Sequence, residues 1–539
     1  MYAPISTTAT TRSLLATLAL AAASLLPGLA SAAVPGITGP TFNLVAGPSS
    51  LTQPDGQAVY SWGYGCNGAP AGFAPRPGGT DLANASCSSM QVPGPTLIVT
   101  EGDTVTINLT NQLPASAGNT SILFPGFQVS ATGGTPGLLV QEAAHSGTVT
   151  YTFTAGSPGT RAYYSGTQGD LQIEMGLYGA IVVLPKLPAA VNTACTSPAI
   201  RTNLFGVSSF TGSSEQDFRL APAAYDNARS CYDREYLFQF AEMDPAIHTE
   251  ALAQVNATAS CTAGSAGCSL QVPTEPYHPA YFMINGRSMP DDMDPNYATQ
   301  YPHQPYNGNP HMHPGELVLL RIIGQGRWQH PFHEHGNHVR VLARDGNLIV
   351  SQTDPSALAG PLLFTTTTTP GQAMDGIFYW TGRGLNWDPY GHNPGSTDPN
   401  ATLPCVPDIN GYNTGPAAYG QINYFEWCQD HNKPVQAAPF GDVAAGGPVT
   451  LPDANLFTNG AWYGGSPYLG PNATVRATGY TGTTPPSGTI ANSPTGEAGF
   501  AFMWHSHNER EITTNNIFPG GMLMMMLVDS REFVIDESN

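Results

Sequence analysis

The stretch Thr104-Val105-Thr106-Ile107-Asn108-Leu109 alternates polar and apolar side chains without interruption. In an extended strand, such alternation places the apolar side chains on one face and the polar side chains on the other. The same pattern recurs at residues 148–153, and apolar runs at residues 97–99 and 180–184 lie between turn residues. Short strands at regular spacing predict an all-β sandwich or barrel.

The composition agrees with this fold class. The chain contains 60 Gly and 49 Pro among 539 residues, and these residues cost about 1 and about 3 kcal/mol, respectively, in the interior of a helix. Because 41% of the residues are apolar, the chain can still build a substantial core. The formal charge of −20, with 18 Lys and Arg in total, argues against a nucleic acid partner, since such binding relies on Lys and Arg.

The N-terminal segment has the features of a cleaved export signal. Arg12 precedes an apolar run at residues 14–26, and the small-residue triplet Ala30-Ser31-Ala32 follows it. The run is too short to cross a bilayer, and no other stretch approaches the roughly 20 apolar residues of a transmembrane helix. We therefore predict cleavage after Ala32, export to the periplasm or the extracellular medium, and no transmembrane segment.

The eight cysteines fall in four near pairs, which are Cys66/Cys87, Cys195/Cys231, Cys261/Cys268 and Cys405/Cys428. An even number of cysteines in an exported chain predicts disulfides, although the sequence alone leaves the connectivity open. No cysteine lies beside a cluster of histidines.

Changes in composition divide the chain into segments. A Cys- and Ala-containing connector follows the first set of strands, and a long Gly/Pro/Asn/Thr-rich stretch interrupts the second set. We predict the following organisation: a signal peptide at 1–32, a first domain at 40–187, a connector at 188–232, a second domain at 233–383 and 496–530, and an insertion at 384–495.

Two segments concentrate the histidines, and they read His330-Pro331-Phe332-His333-Glu334-His335-Gly336-Asn337-His338 and Trp504-His505-Ser506-His507. Residues i and i+2 of a strand share a face, so each segment can aim two imidazoles at one point. Imidazole suits copper, zinc, iron and nickel. A solvated face would explain either pair alone, whereas two such pairs among 14 histidines favour a metal site. Its candidate ligands are His330, His333, His335, His505 and His507.

Further candidates are weaker. His311-Met312-His313 repeats the i, i+2 spacing in a turn-like Asn/Pro setting, and for this pair a surface position and a ligand role both remain open. His338 follows the first cluster directly. Glu334, Glu509 and Glu511 could complete a mixed imidazole and carboxylate sphere, but we favour an orienting role or a position in solvent.

A methionine run closes the chain at Met522, Met524, Met525 and Met526. Thioether sulfur is a soft metal ligand, so Met522 is a further weak candidate and the run could form an accessory copper site. The simpler interpretation is that alternate members of a strand pack into the core, and we favour it.

These segments resemble the motifs of multicopper oxidases. Residues 330–336 are similar to the family's H-P-x-H-L-H-G motif with Glu334 in the Leu position, and His505-Ser506-His507 with Gly521-Met522 resembles its terminal H-C-H…G-M segment. Residues 92–111 are similar to the V-P-G-P-T…G-D-T-V…L-T-N run of the first domain. The resemblance extends from about residue 40 to 528 outside the insertion, and it implies tandem cupredoxin-like Greek-key β-sandwich domains.

The departures from the family pattern fall on ligand positions. Leu123 and Pro125 stand where the family's T-S-I-H-W-H-G has histidines, and Tyr164 and Gly166 replace two more in G-T-x-W-Y-H-S-H. Ser506 stands in place of the thiolate ligand of the type 1 copper. Half of the histidines that hold the family's trinuclear copper centre are therefore absent.

Matched position by position, the resemblance implies that His333 is a type 2 copper ligand and that His335, His505 and His507 are type 3 ligands. His330 matches the remaining type 1 histidine. By counting, the other type 1 histidine position falls at Glu511, and about six extra residues separate it from Met522. The retained set implies one or two copper ions, with another divalent transition metal as an alternative.

Three functions from different classes remain. The first is a divergent copper-dependent oxidoreductase that uses O2 and a small reductant or a metal-ion substrate, without ordinary laccase activity. The second is a protein that binds or sequesters copper without turnover. The third is a structural surface protein with a cupredoxin fold. We favour the first, because a dense cluster of histidines is retained in one domain only.

Overall fold

The computed structural model describes residues 34–196, 216–313, 316–380, 499–529 and 534–536, together with three short strands between residues 465 and 491. The predicted signal peptide, the Cys405/Cys428 pair and most of the predicted insertion lie outside the described residues. Strands dominate the described part, which confirms the all-β class.

Two mixed sheets of five strands each form the first β-sandwich. Their orders are β11-β12-β5-β1-β4 and β3-β2-β6-β10-β7, and β8 and β9 form a separate hairpin. The strands are β1 (Gly36–Thr38), β2 (Thr41–Thr52), β3 (Ala58–Cys66), β4 (Phe73–Ala74), β5 (Leu97–Thr100), β6 (Thr104–Asn111), β7 (Ser130–Thr132), β8 (Thr135–Pro136), β9 (Gln141–Glu142), β10 (Thr148–Thr154), β11 (Gly159–Tyr164) and β12 (Tyr178–Leu184).

The alternation at residues 104–109 determines how β6 sits in this sandwich. Val105, Ile107 and Leu109 are buried in the core, and β6 pairs antiparallel with β10 so that Ile107 faces Tyr151. The core draws apolar side chains from both sheets.

The second sandwich packs a seven-stranded sheet against a six-stranded sheet. The first sheet has the order β14-β13-β16-β22-β18-β19, with β20 on β18, and the second has the order β15-β27-β26-β17-β21, with β23 on β26. The strands are β13 (Arg234–Met243), β14 (Tyr281–Ile284), β15 (His311–Met312), β16 (Leu317–Gly324), β17 (His330–Glu334), β18 (Val339–Arg344), β19 (Asn347–Leu348), β20 (Leu362–Leu363), β21 (Thr365–Thr368), β22 (Ala373–Tyr379), β23 (Gly465–Tyr468), β26 (Gly499–Ser506) and β27 (Leu523–Asp529). Strands β24 (Thr474–Val475) and β25 (Ile490–Ala491) pair with each other in a separate two-stranded sheet.

Helices are few and short. They are α1 (Gly169–Gln172), α2 (Ala189–Thr196) and α3 (Pro245–Ala257), with 3₁₀ turns at Pro77–Gly79, Ala115–Ala117, Ala228–Ser230, Asp291–Met293 and Glu509–Ile512. Asp244 caps α3 by accepting a hydrogen bond from the Ala246 N–H at 2.9 Å, and Pro245 occupies the first helical position. None of the described helices is long and apolar enough to span a membrane.

Two features join the sandwiches. Ile247 and Ala251 of α3 pack into the core of the first sandwich although α3 follows β13. A buried polar network also crosses between them, because the Asp375 carboxylate accepts hydrogen bonds from the Thr160 hydroxyl at 2.6 Å and the Thr160 N–H at 3.1 Å. Arg321 extends this network through an ion pair with Glu235 at 2.8 Å.

Three disulfides link Cys66 to Cys87, Cys195 to Cys231 and Cys261 to Cys268. Each joins two cysteines that are near neighbours in the sequence, and no cysteine in the described part of the chain is free. The disulfide framework predicted from the cysteine count is confirmed for these three pairs.

Candidate metal centre

Two adjacent strands carry four imidazoles to one face of the second sandwich. Strands β17 and β26 run antiparallel, and their register places His333 directly opposite His505. His335 and His507 each follow two residues later, just beyond the ends of the strands. The i, i+2 spacing therefore gathers all four rings into one group, which we call the four-histidine group.

The rings of this group lie close together. The ring centroids are 4.6 Å apart for His333 and His335, 5.1 Å for His333 and His507, and 5.2 Å for His335 and His505. The Nε2 atoms of His335 and His505 are 3.2 Å apart, which is close to the separation of two nitrogens that each lie about 2.0–2.1 Å from one ion. Residues 34–529, as far as they are described, contain no three His, Cys, Asp or Glu side chains already set as a metal-binding group.

Hydrogen bonds at Nδ1 orient two of the rings. His505 donates from Nδ1 to the Ser506 carbonyl oxygen at 2.7 Å, which leaves the lone pair on Nε2. The Nδ1 atom of His333 lies 2.8 Å from the Thr365 hydroxyl. Outer-sphere partners of this kind fix the ring orientation and the tautomer of metal-binding histidines.

The environment favours neutral imidazoles. Burial lowers the pKa of His333, and the neighbouring His505 and His507 lower it further. Burial is also the main cause that lowers the pKa of His505, assisted by His507. Because a metal ion binds the deprotonated ring nitrogen, these shifts favour metal binding at neutral pH.

One side of the group faces solvent, and the other meets an aromatic wall. The His507 side chain is 55% exposed, whereas His333 and His505 are buried. The ring of Phe364, 56% exposed, meets His333 edge to face at a centroid distance of 5.8 Å. The His338 ring also meets Phe364 edge to face, at a centroid distance of 5.3 Å.

His330, the fifth principal candidate, lies elsewhere. It is completely buried, and its two ring nitrogens contact two carboxylates: Nδ1 is 2.9 Å from Glu511 Oε2 and Nε2 is 2.9 Å from Glu242 Oε2. Although burial alone would lower the pKa of His330, the hydrogen bonds and the attraction of both carboxylates outweigh it and raise that pKa to about 9. His330 therefore holds protons on both nitrogens at neutral pH, and we leave it out of the ligand set proposed below.

The residues at the other type 1 positions join the same buried cluster. The Ser506 hydroxyl donates to Glu511 Oε2, so that one carboxylate oxygen accepts from both His330 and Ser506. Met522 N–H donates to the Glu511 carbonyl oxygen at 2.7 Å. The Met522 side chain packs in the apolar core with Met524 and Met526, in agreement with the core interpretation of the methionine run.

The remaining candidates lie apart from the four-histidine group. His311 and His313 are buried, so the surface alternative for this pair is wrong; they lie at β15, where His311 Nδ1 contacts Asp529 Oδ2 at 2.7 Å. His311 faces Leu527 whereas His505 faces Leu523, a distance of about 13 Å along strand β27.

The two glutamates near the group differ in their surroundings. Glu334 is buried and accepts a hydrogen bond from the Thr366 hydroxyl at 2.5 Å. Burial raises the pKa of Glu334 to about 8, although the hydrogen bond from Thr366 lowers it. Glu509 is solvent-exposed beside His507.

The first sandwich repeats the strand arrangement without the ligands. Leu123 and Tyr164 form an antiparallel bridge, with Leu123 N–H donating to the Tyr164 carbonyl at 2.7 Å. This pair corresponds to His333 and His505 in the second sandwich, which supports the matching of positions made from the motifs. The Leu123 side chain lies against Gly166, so this half-site is filled by apolar atoms.

Three residues that shape the site are absent from the sequence-based candidates: Glu242, Phe364 and Thr365. A detectable signal existed for Glu242, because it is an acidic residue within the apolar run of β13. Thr365 begins a run of five threonines, in which nothing distinguishes the one that contacts His333.

Comparison with known proteins supports the resemblance. Residues 79–188, in the first sandwich, match the family model described as multicopper oxidase. A curated relative, multicopper oxidase MCE of Talaromyces pinophilus, is 37% identical over 99 residues, and the match covers 18% of this chain and 16% of the relative. The similarity to multicopper oxidases is thus confirmed, and the residues that match the family model lie in the first sandwich, outside the four-histidine group.

Two multicopper oxidases are among the solved structures to which the chain has a partial likeness. The multicopper oxidase mgLAC is 14% identical, with 92% of this chain and 88% of that chain covered at a TM-score of 0.42. The blue copper oxidase from Nitrosomonas europaea is 14% identical, with 90% and 85% covered at a TM-score of 0.41.

Proposed function

We propose that this chain is an exported copper-binding oxidoreductase whose site is the four-histidine group and which lacks ordinary laccase activity. The observation that carries the proposal is the convergence of His333, His335, His505 and His507 from two paired strands. One or two copper ions suit such a set, and another divalent transition metal is the alternative.

The donor chemistry fits copper. All four candidate ligands are imidazoles. His333 and His505 are oriented by hydrogen bonds at Nδ1, and their lowered pKa values favour the neutral ring that binds a metal ion. All four come from one sandwich, so the group could load with metal without help from the first sandwich. Its ligands offer no thiolate, and the described cysteines are all in disulfides.

Each part of the site has a definable task. Copper, when bound, supplies one-electron redox chemistry. Thr365 and the Ser506 carbonyl hold the rings of His333 and His505, and Phe364 restricts water on one side. The exposed edge at His507 leaves a path for O2 and for a small reductant or a metal-ion substrate.

The same structure supports the absence of laccase turnover. The first-sandwich half-site carries Leu123, Pro125, Tyr164 and Gly166 in the positions of four copper ligands. At the type 1 position, Ser506 replaces the thiolate and the Glu511 carboxylate lies between it and His330. A hard hydroxyl oxygen does not replace the soft sulfur that defines blue copper sites.

The proposal is tested by metal analysis combined with electron paramagnetic resonance on the full chain purified and loaded with copper. We expect one or two copper ions per chain, no intense thiolate-to-copper absorption, and loss of the copper in a His505→Ala/His507→Ala variant. The exposed His278→Ala variant serves as the matched control and should bind as much copper as the parent. Unchanged copper content in the double variant would exclude this site.

Turnover is then measured as oxygen consumption with Cu(I), Fe(II), Mn(II) and a phenolic reductant. Oxygen consumption with a small reductant supports the oxidoreductase. Copper binding without consumption would instead identify a copper-sequestering protein. Robust consumption with the phenol would contradict the absence of laccase activity.

A further inference from the structure

We propose that Glu511 is a positioning residue of the four-histidine group, which fixes the spacing between the two strands that carry the imidazoles. The inference rests on the metal-binding function proposed above. Glu511 lies in the 3₁₀ turn Glu509–Ile512 and is completely buried.

A single oxygen atom of Glu511 joins the two ligand-bearing strands. Oε2 accepts from His330 Nδ1 at 2.9 Å, and it also accepts from the Ser506 hydroxyl. His330 begins strand β17, which leads to His333 and His335, and Ser506 lies between His505 and His507 on β26. The carboxylate thus bridges the strands beside the point where His333 faces His505.

Two further sets of hydrogen bonds fix the position of the Glu511 carboxylate, one at its second oxygen and one at its partner His330. Oε1 accepts from the Asn508 side-chain amide at 3.0 Å. The far nitrogen of His330 donates to Glu242, whose other oxygen accepts from the Arg327 and Trp328 N–H groups at 2.7 and 2.9 Å. With both ring nitrogens engaged, His330 cannot turn without breaking a buried charged hydrogen bond, so the bridge has a defined geometry.

The bridge acts through the backbone. Side chains alternate between the two faces of a strand, so His330 and Ser506 point to the opposite face from His333 and from His505, respectively. Glu511 therefore sets where the strands lie, while the imidazoles project to the other side. Removing a direct hydrogen-bond partner of a metal ligand typically changes metal affinity about 10- to 100-fold. We take this range as the expectation for Glu511, which reaches the imidazoles through the two strands and not by direct contact.

A purely structural role is a distinguishable alternative. A buried charged cluster can often be replaced without loss of stability, so its presence does not require a contribution to folding. A structural role would lower the melting temperature of Glu511→Gln and leave the copper affinity and the resonance spectrum of the folded protein unchanged. A positioning role changes both affinity and spectrum.

The test compares copper affinity, by competition with a chelator of known affinity, and the electron paramagnetic resonance spectrum of parent, Glu511→Gln and Glu250→Gln. Glu250 is exposed on helix α3, away from the four-histidine group, so Glu250→Gln should match the parent. We expect a 10- to 100-fold loss of affinity and an altered spectrum in Glu511→Gln. Ser506→Ala removes the hydroxyl end of the bridge, together with a hydrogen bond that this hydroxyl accepts from the Asn508 N–H at 3.2 Å. It should show a smaller loss of affinity than Glu511→Gln, and it decides the matter if Glu511→Gln does not fold.

The outcomes separate the two proposals. Parental affinity and spectrum in the folded variants would overturn the positioning role while leaving the metal site in place. A parent that binds no copper, or a His505→Ala/His507→Ala variant that binds as much as the parent, would overturn the proposed function and this inference together.

Discussion

The side chain of Leu123 fills the space beside Gly166. A Cβ atom at position 166 would lie 2.7 Å from Leu123 Cγ and 2.9 Å from Leu123 Cδ2, well inside van der Waals contact. The resemblance to multicopper oxidases matches these two positions to metal ligands, and here a leucine and a glycine stand at them. This replacement requires the small residue at 166.

We expect Gly166→Ala to destabilise the fold by about 1–3 kcal/mol, the usual cost of overpacking. The measurement is the free energy of unfolding from chemical denaturation. Gly156→Ala is the control, because a Cβ there meets nothing within 4 Å. The double variant Leu123→Ala/Gly166→Ala should recover part of the unfolding free energy that Gly166→Ala loses. If the double variant is destabilised as much as Gly166→Ala, the Leu123 side chain is not the group that the new Cβ meets.

Replacing Glu334 with Leu is expected to stabilise the metal-free protein by about 1–3 kcal/mol, the usual cost of a buried polar atom left without a hydrogen bond. Glu334 is 1% exposed, and its Oε2 is buried without a hydrogen-bond partner. Thermal and chemical unfolding measure the effect. Glu334→Gln keeps the shape of the side chain and should gain less unfolding free energy than Glu334→Leu. A Glu334→Leu variant that is less stable than the parent would mean that Oε2 has a favourable partner such as water.

The imidazolium of His330 predicts a pH dependence of stability. Its pKa in the folded protein, about 9, exceeds the ordinary value of 6.5, so its stabilising effect is complete below about pH 6.5 and is lost as the pH rises through about 9. The difference in unfolding free energy between parent and His330→Gln should shrink by up to about 1.4 kcal/mol per pH unit in this window. The exposed His278→Gln variant should follow the parent, and a constant difference for His330→Gln would contradict the protonated state.

Asp375→Asn is expected to cost about 3–5 kcal/mol, because it breaks a buried charged network that joins the two sandwiches. Asp375 accepts from Thr160 and from the Tyr225 hydroxyl, and Arg321 Nη1 lies 3.7 Å from it. Denaturation followed by probes in both sandwiches measures the cost. The exposed Asp354→Asn variant is the control, and a loss below about 1 kcal/mol would show that the network contributes little.

The strands were predictable where one face is buried. The alternating runs at residues 104–109 and 148–153 and the apolar run at 180–184 fall within β6, β10 and β12. The first two runs have apolar side chains at period 2, which identifies one buried face, whereas the continuous apolar run of β12 indicates a strand buried on both faces. Helix α3 was not predicted. Its buried residues Ile247 and Ala251 pack against the first sandwich, which lies earlier in the chain, and no local pattern in the sequence indicates that contact.

The four-histidine group was predictable because its histidines lie two residues apart within each of two short segments. Two i, i+2 pairs identify the face of each strand, and only the pairing of β17 with β26 had to be supplied by the fold. The surroundings of His330 were not predictable in the same way. Glu242 lies 88 residues before it in the sequence, and no local pattern links the two positions.

Helix α3 has a consequence for biosynthesis. Ile247, Ala251 and, farther along, Leu270 and Val272 complete the apolar interior of the first sandwich, yet all of them lie beyond β13. During translation the first sandwich therefore emerges with part of its interior uncovered, and it closes only after the early strands of the second have been made. The N-terminal half is consequently a poor module for exchange between proteins, because separating it at the connector would leave its core unfinished.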